Sequence, residues 1–232
     1  MKLFTFKKAC TIAAILATTA GTAHADLVYS FSDASTFNGT APTTSSTVYA
    51  TATFSNYSLP NTVQLVMKTL STILAPYYVN DWAFNFTDGT SISSIVHTTN
   101  DIAANTVTVA PNAYALTGGG QPVFDFGFNF STASPGQLAA SNTSTYLITG
   151  IDSAGVLNFN DFKSLSFNKN GTTTPAYFAA VHVQGVQSYA VSSDDGGGPS
   201  QGNVPEPASV ALFGLGILCV ALARRRTRQI DG

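Results

Sequence analysis

The sequence predicts an all-β protein, an antiparallel β-sandwich of jelly-roll type, flanked by an N-terminal signal helix and a C-terminal transmembrane helix. Three observations favour this fold. The middle of the chain alternates polar and apolar residues at a period of two, several of these segments carry aromatic residues on one side, and glycine-containing turns separate them. An immunoglobulin-like strand order is the second choice.

The clearest strand is predicted at residues 123–130, VFDFGFNF. Its four phenylalanines share one face, and Asp125, Gly127 and Asn129 share the other. Aromatic residues follow Trp82 at the same spacing, which favours a core position for Trp82 over stacking on a sugar. The other predicted strands are 27–31, 47–54, 63–68, 82–86, 92–96, 106–109, 146–150, 164–167 and 176–184. The stretch 63–78 is also spaced for a short helix.

Charged residues are scarce, at 9% of the chain, against about a quarter in ordinary soluble domains. Between Asp26 and Asn203 the only basic residues are Lys68, Lys163 and Lys169, and every acidic residue there is Asp. This part of the chain is therefore acidic. Because it offers no basic surface to phosphates, nucleic acid is excluded as a partner.

The first 25 residues have the pattern of a secretory signal peptide. A lysine-containing start precedes an apolar stretch of small residues at 9–17. Ala23 and Ala25 then form a small-x-small cleavage site, so the exported chain is expected to begin at Asp26. The expected partners at this stage are the Sec translocon and signal peptidase.

The C-terminal end carries an apolar run at 208–223, which would span about 24 Å as a helix. This is short for a hydrocarbon core of about 30 Å, but thinning of the bilayer can accommodate it. Arg224, Arg225 and Arg226 follow and act as a membrane stop on the cytoplasmic side. We therefore expect a transient anchor in the inner membrane with the preceding domain outside.

A short rigid motif, Pro205-Glu206-Pro207, stands directly before that run. Two prolines fix φ and withhold backbone donors, so the motif is expected to be extended and accessible to a processing enzyme. The Gly-, Ser- and Asp-rich stretch 192–203 before it is predicted to be a flexible linker. The chain is thus divided into a signal peptide (1–25), an exported β-sandwich (26–191), this linker and a sorting segment (204–228).

The sorting segment, VPEPASVALFGLGILCVALARRRTR, resembles the PEP-CTERM sorting signal of exported bacterial proteins. The resemblance implies cleavage by an exosortase at or near Pro205-Glu206-Pro207, delivery to the cell surface or the extracellular space, and a link to exopolysaccharide and biofilm. The segments VFDFGFNFSTAS, TYLITGIDSAGVLNFNDF and AYFAAVHVQGV also resemble the bodies of PEP-CTERM proteins. That second resemblance implies a fold and a location, and no activity.

Two residues on the polar face of the strand 123–130 are the candidate ligand-binding pair. Asp125 and Asn129 offer oxygen atoms that suit Ca²⁺ or a sugar. The alternative is a solvated outward face. No other cofactor is expected. The stretch from Asp152 to Asp161 lacks the alternating ligands and the terminal Glu of an EF-hand, and it is better explained as a turn.

Histidines give no further site in the sequence. His182 lies in a predicted strand and could be a metal ligand or a general base, yet no Ser, Cys or Glu motif proposes a catalytic partner. A hydrogen-bonded strand histidine is the simpler interpretation, and His97 is treated in the same way. The sequence therefore predicts a surface or matrix protein that is not an enzyme. The alternatives are a secreted carbohydrate-binding module and a hydrolase with scattered Asp residues.

Overall fold

A computed structural model describes residues 26–32, 36–38, 47–98, 101–117, 122–167, 176–185, 187–192 and 200–201. These belong to one compact unit, Ala25–Gly202. The predicted signal peptide (1–25), with its cleavage residues Ala23 and Ala25, lies outside the described residues, and so does the sorting segment (204–228) with its predicted transmembrane helix and arginines.

The described residues form strands and one short helix. In chain order they are β1 (Asp26–Ser32), β2 (Thr36–Asn38), β3 (Val48–Asn56), β4 (Thr62–Thr69), β5 (Tyr78–Phe84), β6 (Ser91–His97), β7 (Thr106–Tyr114), β8 (Phe124–Asn129), β9 (Thr143–Ile151), a 3₁₀ helix (Phe159–Phe162), β10 (Tyr177–Gln184), β11 (Gln187–Ser192) and β12 (Ser200–Gln201).

The strands make two six-stranded sheets. The first has the order β12-β1-β3-β4-β9-β6 and the second has the order β2-β11-β10-β5-β8-β7. Every pair of neighbours is antiparallel. The prediction of an all-β antiparallel sandwich is confirmed.

A core rich in aromatic residues joins the two sheets. Phe31 of the first sheet meets Trp82 of the second edge to face, with ring centroids 5.4 Å apart. Phe54 meets Phe84 in the same way at 5.3 Å. Edge-to-face pairs of this kind add about 0.5–1.5 kcal/mol each beyond the area they bury. Trp82 is completely buried, so its predicted place in the core is confirmed.

The strand 123–130 follows its predicted alternation with one exception. Phe126, Phe128 and Phe130 lie in the core between the sheets, as expected. Phe124 instead joins a second, smaller apolar cluster. Its members are Ala83, Leu116, Phe124, Tyr177 and Ala180. The pairing of β7 with β8 shifts register between Val109 and Tyr114, so the ladder is irregular beside this end of β8.

Two predicted elements differ in the structure. Residues 164–167 were expected to form a strand, but only an isolated bridge between Phe167 and Val123 is present there, with Phe167 half exposed. The stretch 63–78 contains β4 and then turns, not a helix. Alternate burial of Val63, Leu65 and Met67 explains why the period of two prevails.

Candidate functional site

The candidate ligand Asp125 is held by backbone groups from two other segments. Its carboxylate accepts the Phe86 N–H at 2.9 Å through Oδ2 and the Asn112 N–H at 2.7 Å through Oδ1. The side chain is only 6% exposed, so the alternative of a solvated outward residue is wrong. Burial raises the pKa of Asp125, the two backbone hydrogen bonds oppose that shift, and Asp88 adds to it.

Asn129, the second candidate ligand, is not brought to Asp125. Both lie on the outer face of β8, where four residues of strand separate side chains by about 13 Å. The ring of Tyr114 lies over the glycine between them, since a Cβ on Gly127 would be 2.0 Å from Tyr114 Cε1. The two residues therefore do not converge on one small ligand.

A second buried carboxylate, Asp81, lies on the same outer face. It is 1% exposed and accepts three hydrogen bonds from a single neighbouring segment. Tyr114 Oη donates to Oδ1. The backbone N–H and the hydroxyl of Thr117 donate to Oδ2 at 2.8 and 2.7 Å. Burial raises the pKa of Asp81, and these hydrogen bonds counteract the shift.

Together the two carboxylates fasten residues 112–117, which we call the strap, across the outer face of the second sheet. Asp125 holds its beginning at Asn112, and Asp81 holds its end at Tyr114 and Thr117. Between those points Leu116 is buried in the smaller apolar cluster. The strap thus explains why polar residues occur under a covered part of the sheet.

His182 lies directly opposite Asp81 in the pairing of β10 with β5. Burial lowers the pKa of His182, whereas the negative charge of Asp81 and a hydrogen bond with Gln184 raise it. Cross-strand pairing therefore places a carboxylate beside His182, which no local sequence motif predicted. The predicted strand began at Trp82, four residues after the true start of β5. With the correct start, alternation from Trp82 places Asp81 on the outer face of the sheet as a candidate site residue.

The stretch from Asp152 to Asp161 is a turn followed by a helix cap. Asp152 Oδ1 accepts the backbone N–H groups of Ala154 and Val156, both at 2.8 Å. Asn158 and Asp161 form a capping box on the 3₁₀ helix. Each carboxylate thereby satisfies local backbone donors. Within the described ranges, no group of three or more His, Cys, Asp or Glu side chains is placed to hold a metal ion.

His97 forms a separate pair with Asp101 at the end of β6. Its Nε2 lies 2.5 Å from Asp101 Oδ1, and its ring packs on that of Tyr146 with centroids 5.1 Å apart. Both side chains keep partial contact with solvent, at 24% and 19% exposed. The predicted strand-end histidine thus has a carboxylate neighbour within hydrogen-bonding reach.

Titration of His182 gives a testable pH dependence. Because its pKa is lowered in the folded protein, the unfolded chain binds more protons once the pH falls below the ordinary value of 6.5. The contribution of neutral His182 to the stability of the folded protein is present above pH 6.5. It is lost as the pH falls through the pKa of His182 in the folded state. Urea unfolding at pH 7.5 and 5.5 should therefore show a larger loss of stability for the wild type than for His182→Gln. Equal losses in the two proteins would contradict this prediction.

Residues 203–226 match the family described as the PEP-CTERM protein-sorting motif. This range includes Pro205, Glu206 and Pro207, and it confirms the resemblance found for the segment 204–228. No curated protein and no solved structure matches the chain. No helix in the described part of the chain is long and apolar enough to cross a membrane. The chain carries a C-terminal PEP-CTERM sorting motif, which marks an exported protein that an exosortase sorts.

Proposed function

We propose that the protein is a non-catalytic component of the bacterial cell surface or extracellular matrix. The Sec translocon exports it, signal peptidase cleaves after Ala25, and the run 208–223 anchors the precursor in the inner membrane with Arg224–226 on the cytoplasmic side. Exosortase then cleaves at Pro205-Glu206-Pro207 and releases the β-sandwich into the exopolysaccharide layer. The observation that carries this proposal is the sorting motif at 203–226.

The use of the buried carboxylates supports a role without catalysis. A general base or nucleophile has to reach the reacting atoms of a substrate. Asp81, Asp125 and Asp161 instead accept hydrogen bonds from backbone N–H groups of this chain. The oxygen atoms of these side chains thus hold the strap and cap a helix.

The outward side chains support a matrix environment. The edge strand β6 exposes Ser91, Ser93 and Ser94, and it is half-buried at Ile92 and Ile95. Such hydroxyl groups donate and accept hydrogen bonds without charge. With 9% charged residues in the whole chain, the surface suits a neutral, hydroxyl-rich polymer better than a polyanion.

Fractionation of producing cells tests this role. The protein, expressed in a bacterium that has an exosortase, should be recovered mainly with the extracellular polysaccharide. In the same strain blocked in polysaccharide synthesis, the protein should pass into the medium, because the layer that retains it is missing. A protein that divides between cells and medium identically in both strains would contradict the matrix role.

A further inference from the structure

We propose that one end of the sandwich carries a binding site for a neutral saccharide. The site is an open concavity of about 270 Å³, which we call the end groove. It is formed by residues 56–62, which comprise the end of β3, the following loop and the start of β4, and by residues 156–158, which precede the 3₁₀ helix. The proposal rests on the matrix role above, because it names the chemistry that would retain the protein there.

The walls of the end groove are fixed to one another. Asn56 Oδ1 accepts the Phe159 N–H at 3.0 Å, which joins the end of β3 to the 3₁₀ helix. The carbonyl of Asn61 accepts the Gly150 N–H at 3.1 Å. Asn61 itself has a φ of 54°, a left-handed conformation that asparagine tolerates better than most residues. The groove is therefore preformed, which reduces the entropy lost on binding.

The lining combines apolar surface with amide groups. Tyr57 is 38% exposed, and Leu59 and Val156 are each 56% exposed. Asn56, Asn61 and Asn158 supply amide side chains around them. Oδ1 of Asn56 and Oδ1 of Asn158 already accept backbone N–H groups of Phe159 and Asn160, so these two residues offer a ligand their Nδ2 donors. An aromatic ring suits the apolar C–H face of a sugar, and amides donate to and accept from its hydroxyl groups. This is the mixture of apolar walls and few polar groups that small-molecule sites show.

The charge and the size of the groove restrict the class of ligand that it can bind. All ten lining residues are uncharged. A charged ligand would lose hydration in the groove and gain no ion pair, so a neutral ligand is favoured. The volume lies just below the range of about 300–1,000 Å³ typical of drug-sized ligands. The groove therefore fits one or two sugar units of a neutral chain.

Tyr57 has a matched control in the same domain. Tyr77 is 39% exposed, in the loop before β5, and it lies against Gly185 outside the end groove. Tyr57→Ala removes the aromatic wall, and Val156→Trp fills the groove from an exposed position. Thermal unfolding of each variant establishes that it folds. Together with the control Tyr77→Ala, these variants distinguish a site at the groove from nonspecific binding by exposed tyrosines.

The test uses the exported protein purified from producing cells and an array of neutral glucan, mannan and galactan oligosaccharides, with alginate and hyaluronan as acidic probes. We expect binding to at least one neutral oligosaccharide. Tyr57→Ala and Val156→Trp should weaken it about tenfold or more, which corresponds to about 1.4 kcal/mol, while Tyr77→Ala leaves it unchanged. Absence of neutral binding, preference for the acidic probes, or full binding by Tyr57→Ala would each overturn the proposal.

Matrix retention of Tyr57→Ala distinguishes the two proposals. If this variant loses oligosaccharide binding and also leaves the polysaccharide fraction, the end groove accounts for retention. If the wild type shows no neutral binding yet stays with the polysaccharide fraction, the end-groove proposal fails and the matrix role stands. If the wild type binds neutral oligosaccharides but is not retained by the matrix, the matrix role fails and the binding site stands.

Discussion

Replacement of Pro205, Glu206 and Pro207 by alanine should leave the protein as a larger, membrane-bound precursor. We expect the two prolines to keep this segment out of the helix predicted at 208–223. Because alanine is the best helix former, the substitution is expected to extend that helix through the proposed cleavage site. It also removes the only Glu of the chain. We expect the processed form to disappear on an immunoblot of fractionated cells, with the precursor that keeps its C-terminal segment in the membrane fraction.

The stretch Gly196-Gly197-Gly198 provides the matched control. A triple alanine replacement there changes the same number of residues a short distance upstream, outside the matched motif at 203–226. Trimming and release of this control should be normal. Normal trimming of the variant at Pro205-Glu206-Pro207 would show that the motif does not direct processing.

The substitution Gly127→Ala, in the middle of β8, should cause a large loss of folding stability. The added Cβ would lie 2.0 Å from Tyr114 Cε1 and 2.7 Å from the backbone oxygen of Trp82, so both the ring and the strand have to move. Overpacking of this kind costs about 1–3 kcal/mol. Displacing Tyr114 also takes a hydrogen bond from buried Asp81, at a further cost of about 1–3 kcal/mol.

Urea unfolding of purified protein measures the combined loss, which is a large part of the 5–15 kcal/mol typical of a domain. Gly155→Ala is the matched control. A Cβ at Gly155 meets no atom within 4 Å, and its φ of 87° alone costs about 1–2 kcal/mol on substitution. A loss for Gly127→Ala no greater than that for Gly155→Ala would contradict the packing of Tyr114 on β8.

Local alternation was enough to predict the sandwich and its main core. Phe126, Phe128 and Phe130 follow the period of two, and they lie between the sheets as predicted. Alternation fails where the ladder is irregular. Val79 and Trp82 are both in the core although they are three residues apart, because the register of β5 against β10 shifts between them. For this reason the strand predicted from the sequence began at Trp82 and did not include Asp81.

Three short strands were not predicted from the sequence. β2, β11 and β12 are TFN, QSYAVS and SQ, too short or too polar to show a period. β12 falls within the stretch 192–203, for which composition predicts a linker, and it pairs with β1. Strand pairing of this kind is decided by the partner strand, which a local window does not include.

The role of Asp125 depends on contacts that no local pattern contains. The alternation placed it correctly opposite the phenylalanines of β8, yet its partners Phe86 and Asn112 are 39 and 13 residues away. The strap returns over the sheet only because of the long-range pairing of β7 with β8. A polar residue on an outer face therefore looked like a free ligand, when its oxygens are hydrogen-bonded by the chain itself.

Export and sorting are tested most directly by the intact mass of the protein recovered from the extracellular polysaccharide fraction. We predict a chain that begins at Asp26 and ends near Pro205-Glu206-Pro207, without the apolar run 208–223. Its mass should therefore be well below the 24.2 kDa of the whole chain. A protein of full mass found inside the cell, with both ends intact and none outside, would contradict both export and sorting.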